Sequence, residues 1–197
     1  MKIYSSEEDV ENYVMGIEND WYDKLASHIP SVVFKTRVRD ESIGGSNPFR
    51  WKEVSTWDLF AGKKVLLFAL PGAFTPTCDT YQLPHFEELA DRFFEDLHFD
   101  DIYCLSVNDA FVMNKWAESQ NLHNVKVLPD GNADFTKALN MEVAKENLGF
   151  GVRSWRYAIV VENGKITHWF IEEGKEPNCE QDPYEYTAPN FILSSLL

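Results

Sequence analysis

The chain has 197 residues, 44% of them apolar and 14% aromatic, which suits one globular domain with a sizeable core and excludes disorder. Its 18 basic and 32 acidic side chains leave a net charge of −14, which argues against binding nucleic acid or an anionic membrane surface. No apolar run approaches the length of a membrane span, and the acidic start lacks the apolar core of a signal peptide, so a cytoplasmic location is expected.

Residues 1–30 read as an acidic helical extension, separate from a domain over residues 31–197. Val10, Tyr13, Val14, Ile17, Trp21 and Leu25 recur three or four apart and mark one face of a helix, expected to pack on the domain's own surface. Phe34, Thr36 and Val38 then alternate with Lys35, Arg37 and Arg39 as in a strand with one solvated face. Gly44 and Gly45 signal a turn, and residues 49–51 return as a second hairpin strand. Ser55 and Asp58 have the spacing of a helix-start capping box. Residues 65–70 form an unbroken apolar run, a buried strand.

The next segment is the informative one. Residues 71–78, Pro-Gly-Ala-Phe-Thr-Pro-Thr-Cys, lie between that strand and a helix over residues 81–90. Thr75 is a suitable N-cap and Pro76 fits the first helical position, so Cys78 falls in the first turn. Free backbone N–H groups and the helix dipole favour negative charge there, and the thiolate is the reactive form of cysteine.

Further along, residues 102–107 form a second buried strand, and Asn108 and Asp109 cap a helix reaching Ala117. A short strand over residues 125–128 precedes a turn at residues 129–131 and a short helix over residues 133–139. Two strands, residues 157–161 and 166–170, flank Asn163-Gly164, a strong two-residue hairpin signal. A last helix spans residues 189–197. Strand–helix–strand alternation followed by a hairpin and a terminal helix is the order of an α/β, thioredoxin-like fold, with a central mixed sheet flanked by helices and an N-terminal β-hairpin.

Pro71, Thr75 and Cys78 match the Pro-x-x-x-Thr-x-x-Cys motif of the peroxiredoxins, and with residues 81–84 (Tyr-Gln-Leu-Pro) the string resembles the type II (atypical) branch. The likeness extends through residues 36–40, 47–51, 106–109, 111–113 and 153–157, and so from about Ser31 to the end. The resemblance implies a thiol peroxidase that reduces hydrogen peroxide and small alkyl hydroperoxides through a Cys78 sulfenic acid. Glutathione with glutaredoxin, or thioredoxin, would recycle it. It implies that the Thr75 hydroxyl contacts thiolate and peroxide, that the Pro71 ring shields the sulfur, and that the arginine just before the late strand, Arg156 rather than Arg153, pairs with the thiolate. It also implies a homodimer, for which Phe74, Tyr81 and Phe111 would supply contacts. No cofactor is implied, and the five histidines show no ligand spacing with the cysteines that would suggest a metal.

Cys104 lies mid-strand and reads as an inert buried thiol. Cys179 lies in a polar loop, is expected to be exposed, and is a candidate resolving cysteine; Glu180 and Asp182 beside it count against a reactive thiol. Asp79 places a carboxylate next to the nucleophile, and His85 reads as an exposed helix residue. An alternative is a peroxide sensor that oxidises at Cys78 and signals to a partner with little turnover. A disulfide oxidoreductase is disfavoured, because no Cys-x-x-Cys occurs.

Overall fold

The structure, a computed structural model, describes residues 25–197. The proposed face of the leader therefore lies outside the described residues except for Leu25, which packs on the core.

Strands β1 (Val33–Arg39) and β2 (Phe49–Ser55) pair antiparallel as the expected hairpin. Helix α1 (Thr56–Phe60) starts at the capping box: Ser55 Oγ accepts from the Asp58 N–H at 3.2 Å, and Asp58 Oδ2 accepts from the Ser55 N–H at 2.9 Å. Then come β3 (Lys64–Leu70), a widened π turn (Cys78–Gln82), α2 (Leu83–Glu88), α3 (Ala90–Glu95) and β4 (Asp101–Ser106). Helix α4 (Ala110–Ser119) is capped by Asp109, whose Oδ1 accepts from the N–H groups of Phe111 and Val112. Strand β5 (Val125–Pro129) and helix α5 (Asp134–Ala138) follow. The short strands β6 (Glu142–Ala144) and β7 (Val152–Ser154) pair with each other, and lead to β8 (Tyr157–Glu162), β9 (Lys165–Ile171) and α6 (Pro189–Leu196).

The central sheet has the order β5-β4-β3-β8-β9. Strands β3, β4 and β5 run parallel to one another, β8 pairs antiparallel with β3 and β9 antiparallel with β8, giving a mixed thioredoxin-like sheet. Asn163 and Gly164 make the β8–β9 turn with φ of 48° and 81°, the left-handed pair that a two-residue hairpin demands.

Because strand side chains alternate, the sheet carries two cores. Val65, Leu67 and Ala69 of β3 face one way, with Tyr103, Tyr157 and Ile159, and pack under the β1–β2 side of the molecule. Leu66, Phe68 and Leu70 face the other way, with Cys104, Ala158 and Val160, against α2, α3, α4 and α6. Phe68 and Phe86 stack there with ring centroids 3.8 Å apart. Among the described residues, no helix is long and apolar enough to cross a membrane.

Candidate active site

Cys78 belongs to the second core and is fully buried. The segment preceding it is braced on several sides. Gly72 is closely packed: a Cβ there would lie 3.0 Å from Thr75 Cγ2 and 3.1 Å from Arg153 Nη1, tighter than most Cβ contacts. Phe74 takes φ of 62°, a conformation that bulky residues rarely adopt. Asn108 holds the segment to the sheet, its Oδ1 accepting from Ala73 N–H at 3.0 Å and Ser106 Oγ at 2.7 Å. Arg153 lies alongside, its Nη1 3.4 Å from Asn108 Oδ1 and 3.5 Å from the Pro71 carbonyl.

Thr75 opens the helix through its carbonyl, which accepts from Asp79 N–H at 2.8 Å. Its hydroxyl does not cap in the expected way. It donates backwards to the Gly72 carbonyl at 2.8 Å, because the tight turn brings that carbonyl within reach. Pro71 is buried at the end of β3.

The helix that follows is not a regular α-helix. The Leu83 N–H reaches the Cys78 carbonyl, a bond spanning five residues. Pro84 accounts for the irregularity: it has no N–H for the Thr80 carbonyl, so the α-helical ladder is interrupted and a widened turn absorbs the defect. Cys78 and Gln82, four residues apart and on one face of this turn, are both fully buried.

Arg156 immediately precedes β8 and is 1% exposed. Alternation along β8 places it on the Cys78 side, since Tyr157 faces the first core and Ala158 the second. Its Nη1 lies 3.4 Å from Cys78 Sγ and also donates to Gln82 Oε1. Its Nη2 pairs with Asp182, and its Cζ lies 5.8 Å from the Tyr184 ring centroid. Burial works against the guanidinium's charge, but negative charge at Cys78 and Asp182 outweighs it and holds the group above its usual range.

The sequence-derived candidates thus separate into those that meet and one that does not. Cys78, Thr75, Pro71 and Arg156 converge at the strand-to-helix turn. Cys179 does not join them. It is 7% exposed, contrary to the expectation of an exposed loop thiol, because the loop folds onto the first core. Lys145 Nζ donates to the Cys179 carbonyl at 2.7 Å, and Asn178 N–H donates to the Ala144 carbonyl at 2.7 Å. Cys78 belongs to the other core.

Asp79, a concern beside a thiolate, is engaged elsewhere. Its Oδ1 accepts from Trp116 Nε1 at 2.6 Å and Gln120 Nε2 at 2.8 Å. His85 is half-buried rather than exposed, its Nδ1 3.4 Å from the Tyr184 hydroxyl. Sequence reasoning missed Gln82, Asp182 and Tyr184, and took Asn108 for a helix cap alone.

Comparison with known proteins agrees with this geometry. The redoxin family model matches residues 50–186. A peroxiredoxin from Rhizobium etli is 58% identical over 172 residues, which cover 87% of this chain and 96% of that protein. The chain belongs to the peroxiredoxins. Two solved peroxiredoxin structures are similar throughout. The Plasmodium falciparum antioxidant protein (1-Cys peroxiredoxin) is 37% identical with a TM-score of 0.79, over 87% of this chain and 97% of that one. Reduced Prx3 in complex with hydrogen peroxide from Vibrio vulnificus is 37% identical with a TM-score of 0.71, over 87% and 94%. Peroxiredoxins are thiol-dependent peroxidases, and that is the enzyme class of this chain.

Proposed function

We propose that this peroxiredoxin reduces hydrogen peroxide and small alkyl hydroperoxides with Cys78 as nucleophile, and that thiols from outside the chain recycle it. The observation that carries the reading is the guanidinium nitrogen of Arg156, 3.4 Å from the Cys78 sulfur at a helix start. The Vibrio vulnificus structure holding hydrogen peroxide supports the same substrate class.

The Cys78 thiolate attacks the terminal oxygen of the hydroperoxide. The S–O bond forms, the O–O bond breaks, and the second oxygen leaves with the electron pair as alkoxide or hydroxide. Arg156 donates to that developing charge, the role of donors in any oxyanion site. A proton then completes the alcohol or water, and Cys78 is left as sulfenic acid. The Thr75 hydroxyl donates its hydrogen bond to the Gly72 carbonyl, so its lone pairs are free to accept from the O–H of the peroxide and orient it. The buried Pro71 ring limits water at the sulfur.

Recycling begins when an external thiol condenses with the sulfenic acid, forming a mixed disulfide and releasing water. A second thiol displaces Cys78 as thiolate and leaves with the disulfide. Glutathione with glutaredoxin, or thioredoxin, would serve. The position of Cys179 in the opposite core favours this route over an internal resolving step, and the Plasmodium falciparum relative is itself described as a 1-Cys peroxiredoxin. A reducing, cytoplasmic setting goes with that chemistry. Phe74, Tyr81 and Phe111, each more than half exposed beside the site, suit a homodimer contact.

Steady-state peroxide consumption with glutathione and glutaredoxin tests the reading: it should proceed in the native chain and vanish in Cys78→Ser. Mass spectrometry after one equivalent of peroxide in the presence of glutathione should find the adduct on Cys78. A Cys78–Cys179 bridge in its place would overturn the external-thiol route.

A further inference from the structure

The C-terminal loop between β9 and α6 contributes to the site from outside the motif. We infer that Asp182 is a positioning residue for peroxide reduction: its carboxylate holds the Arg156 guanidinium beside Cys78 while the sulfur passes its charge to the leaving oxygen, and after that charge is gone. The inference rests on the reaction proposed for Cys78 and deepens it.

Arg156 is buried to 1% exposure, and an isolated buried cation is costly. In the thiolate state Cys78 is its counter-ion. Once the sulfur becomes sulfenic acid or a mixed disulfide, that charge is gone. Asp182 keeps a carboxylate on Nη2, while Gln82 Oε1 fixes Nη1 without charge. The guanidinium is thereby held from two sides, with the Nη1 edge aimed at the sulfur.

The loop is built to present that carboxylate in one place. On the N-terminal side of Asp182, the Cys179 carbonyl is bound by Lys145, and Asn178 is tied to Ala144 and Asn147. On the C-terminal side, the buried Glu172 Oε1 accepts from the Glu185 and Thr187 N–H groups, both at 2.8 Å, and from Thr187 Oγ1 at 2.7 Å. Cys179 thus acts as part of an anchor, which accounts for its burial without a redox role.

Other ionisable groups near the guanidinium are committed elsewhere or neutral. Arg153 serves Pro71 and Asn108, Asp79 serves Trp116 and Gln120, and Glu172 serves the loop backbone. Burial pushes the Cys104 thiol and the Tyr184 hydroxyl up, so both stay protonated near neutrality, and His85 meets the Tyr184 hydroxyl.

The carboxylate also competes with the sulfur for the same positive charge. Removing it should therefore affect two reactions of Cys78 differently. Alkylation by iodoacetamide needs the thiolate alone, whereas peroxide reduction needs the guanidinium in place for the leaving oxygen. In Asp182→Ala, the rate of alkylation should hold or rise. Peroxide reduction, followed by stopped-flow, should fall about tenfold to a hundredfold, the loss expected for one charge-assisted hydrogen bond. Asp182→Glu should recover most of the rate. The side chain is 48% exposed, so both variants should fold, which a thermal melt checks. A parallel loss of alkylation and peroxide reduction, or a drop that Glu does not rescue, would mean a merely structural role and overturn the inference. So would an unchanged peroxide rate in Asp182→Ala. If the native chain itself failed to consume peroxide, the reading of Cys78 would fall first, and the inference with it.

Discussion

Cys78 and Cys104 sit in the same apolar core, each fully buried, and they differ in what faces the sulfur. Cys104 is in the middle of β4, opposite Phe68 on one side and Val127 on the other, where the backbone groups are committed to the sheet. Burial raises its thiol well above the ordinary range, the charge at Cys78 adds to that, and the field of Arg156 only partly offsets it. Cys78 lies at a helix start, with a guanidinium nitrogen at 3.4 Å. Two thiols removed from water to the same degree are thus given opposite prospects by hydrogen-bond donors. Burial excludes water from both; only one has groups ready to receive negative charge.

The largest effect should come from making the first sulfur resemble the second. Arg156→Met keeps an apolar stem of similar length and removes the donors. Peroxide reduction should fall by about a hundredfold to a thousandfold, as for loss of an oxyanion donor. Alkylation of Cys78 should slow as well, in contrast to its behaviour in Asp182→Ala. Stopped-flow peroxide kinetics would settle it, and a rate close to the native one would mean that Arg156 is a bystander.

A smaller effect is expected from loosening the segment that carries Thr75 and leads into Cys78. Asn108→Ala leaves the Ala73 N–H and the Ser106 hydroxyl without their acceptor, and leaves Arg153 Nη1 with the Pro71 carbonyl alone. An unsatisfied donor costs about 1–3 kcal/mol. If that cost is met by displacement of the turn, peroxide reduction should drop about tenfold, at about 1.4 kcal/mol per factor of ten. Arg156 and Cys78 would still be in contact, so alkylation should change less than the peroxide rate.

These variants also mark the boundary of what the sequence discloses. The alternating and continuous apolar runs placed the strands of the central sheet, since burial on one face or both leaves its period in the side chains. The capping box at Ser55 and Asp58 and the Asn163-Gly164 turn are local chemistry, and both form as expected. The motif residues are adjacent in sequence, and Arg156 is marked by its place before β8. What stayed illegible depends on tertiary contact. Pro84 signals a break in the helix, but not that Gln82 would meet Arg156 beside Cys78. Asp182 gives no local sign that its partner is Arg156, far away in the chain. Cys179, amid polar residues, looked exposed because composition does not report that Lys145 and the first core would enclose its loop. The pair β6–β7 escaped because three-residue strands are too short to show a period.

The smallest effect tests the inert side of the comparison. Cys104→Ala should leave peroxide reduction unchanged and cost about 1 kcal/mol of stability at neutral pH through lost packing. The difference between the two chains should then shrink as pH rises. The folded-state pKa of Cys104 is raised, so any stability linked to its titration is fully present below the unfolded pKa, about 8.5, and is lost above it. There the unfolded chain releases a proton that the folded chain retains, and the slope approaches a loss of about 1.4 kcal/mol per pH unit until the folded pKa is reached. Tyr157, also raised by burial, adds a similar loss only above about pH 10, and it is common to both chains, as are Cys78 and Cys179. Urea midpoints for native and Cys104→Ala chains between pH 7 and pH 9.5 should therefore converge or cross, the native chain losing stability faster. Parallel curves would mean that Cys104 ionises as easily in the folded core as in water. Burial alone would then not silence a thiol here, and the distinction between the two sulfurs would have to rest on something other than the donors around Cys78.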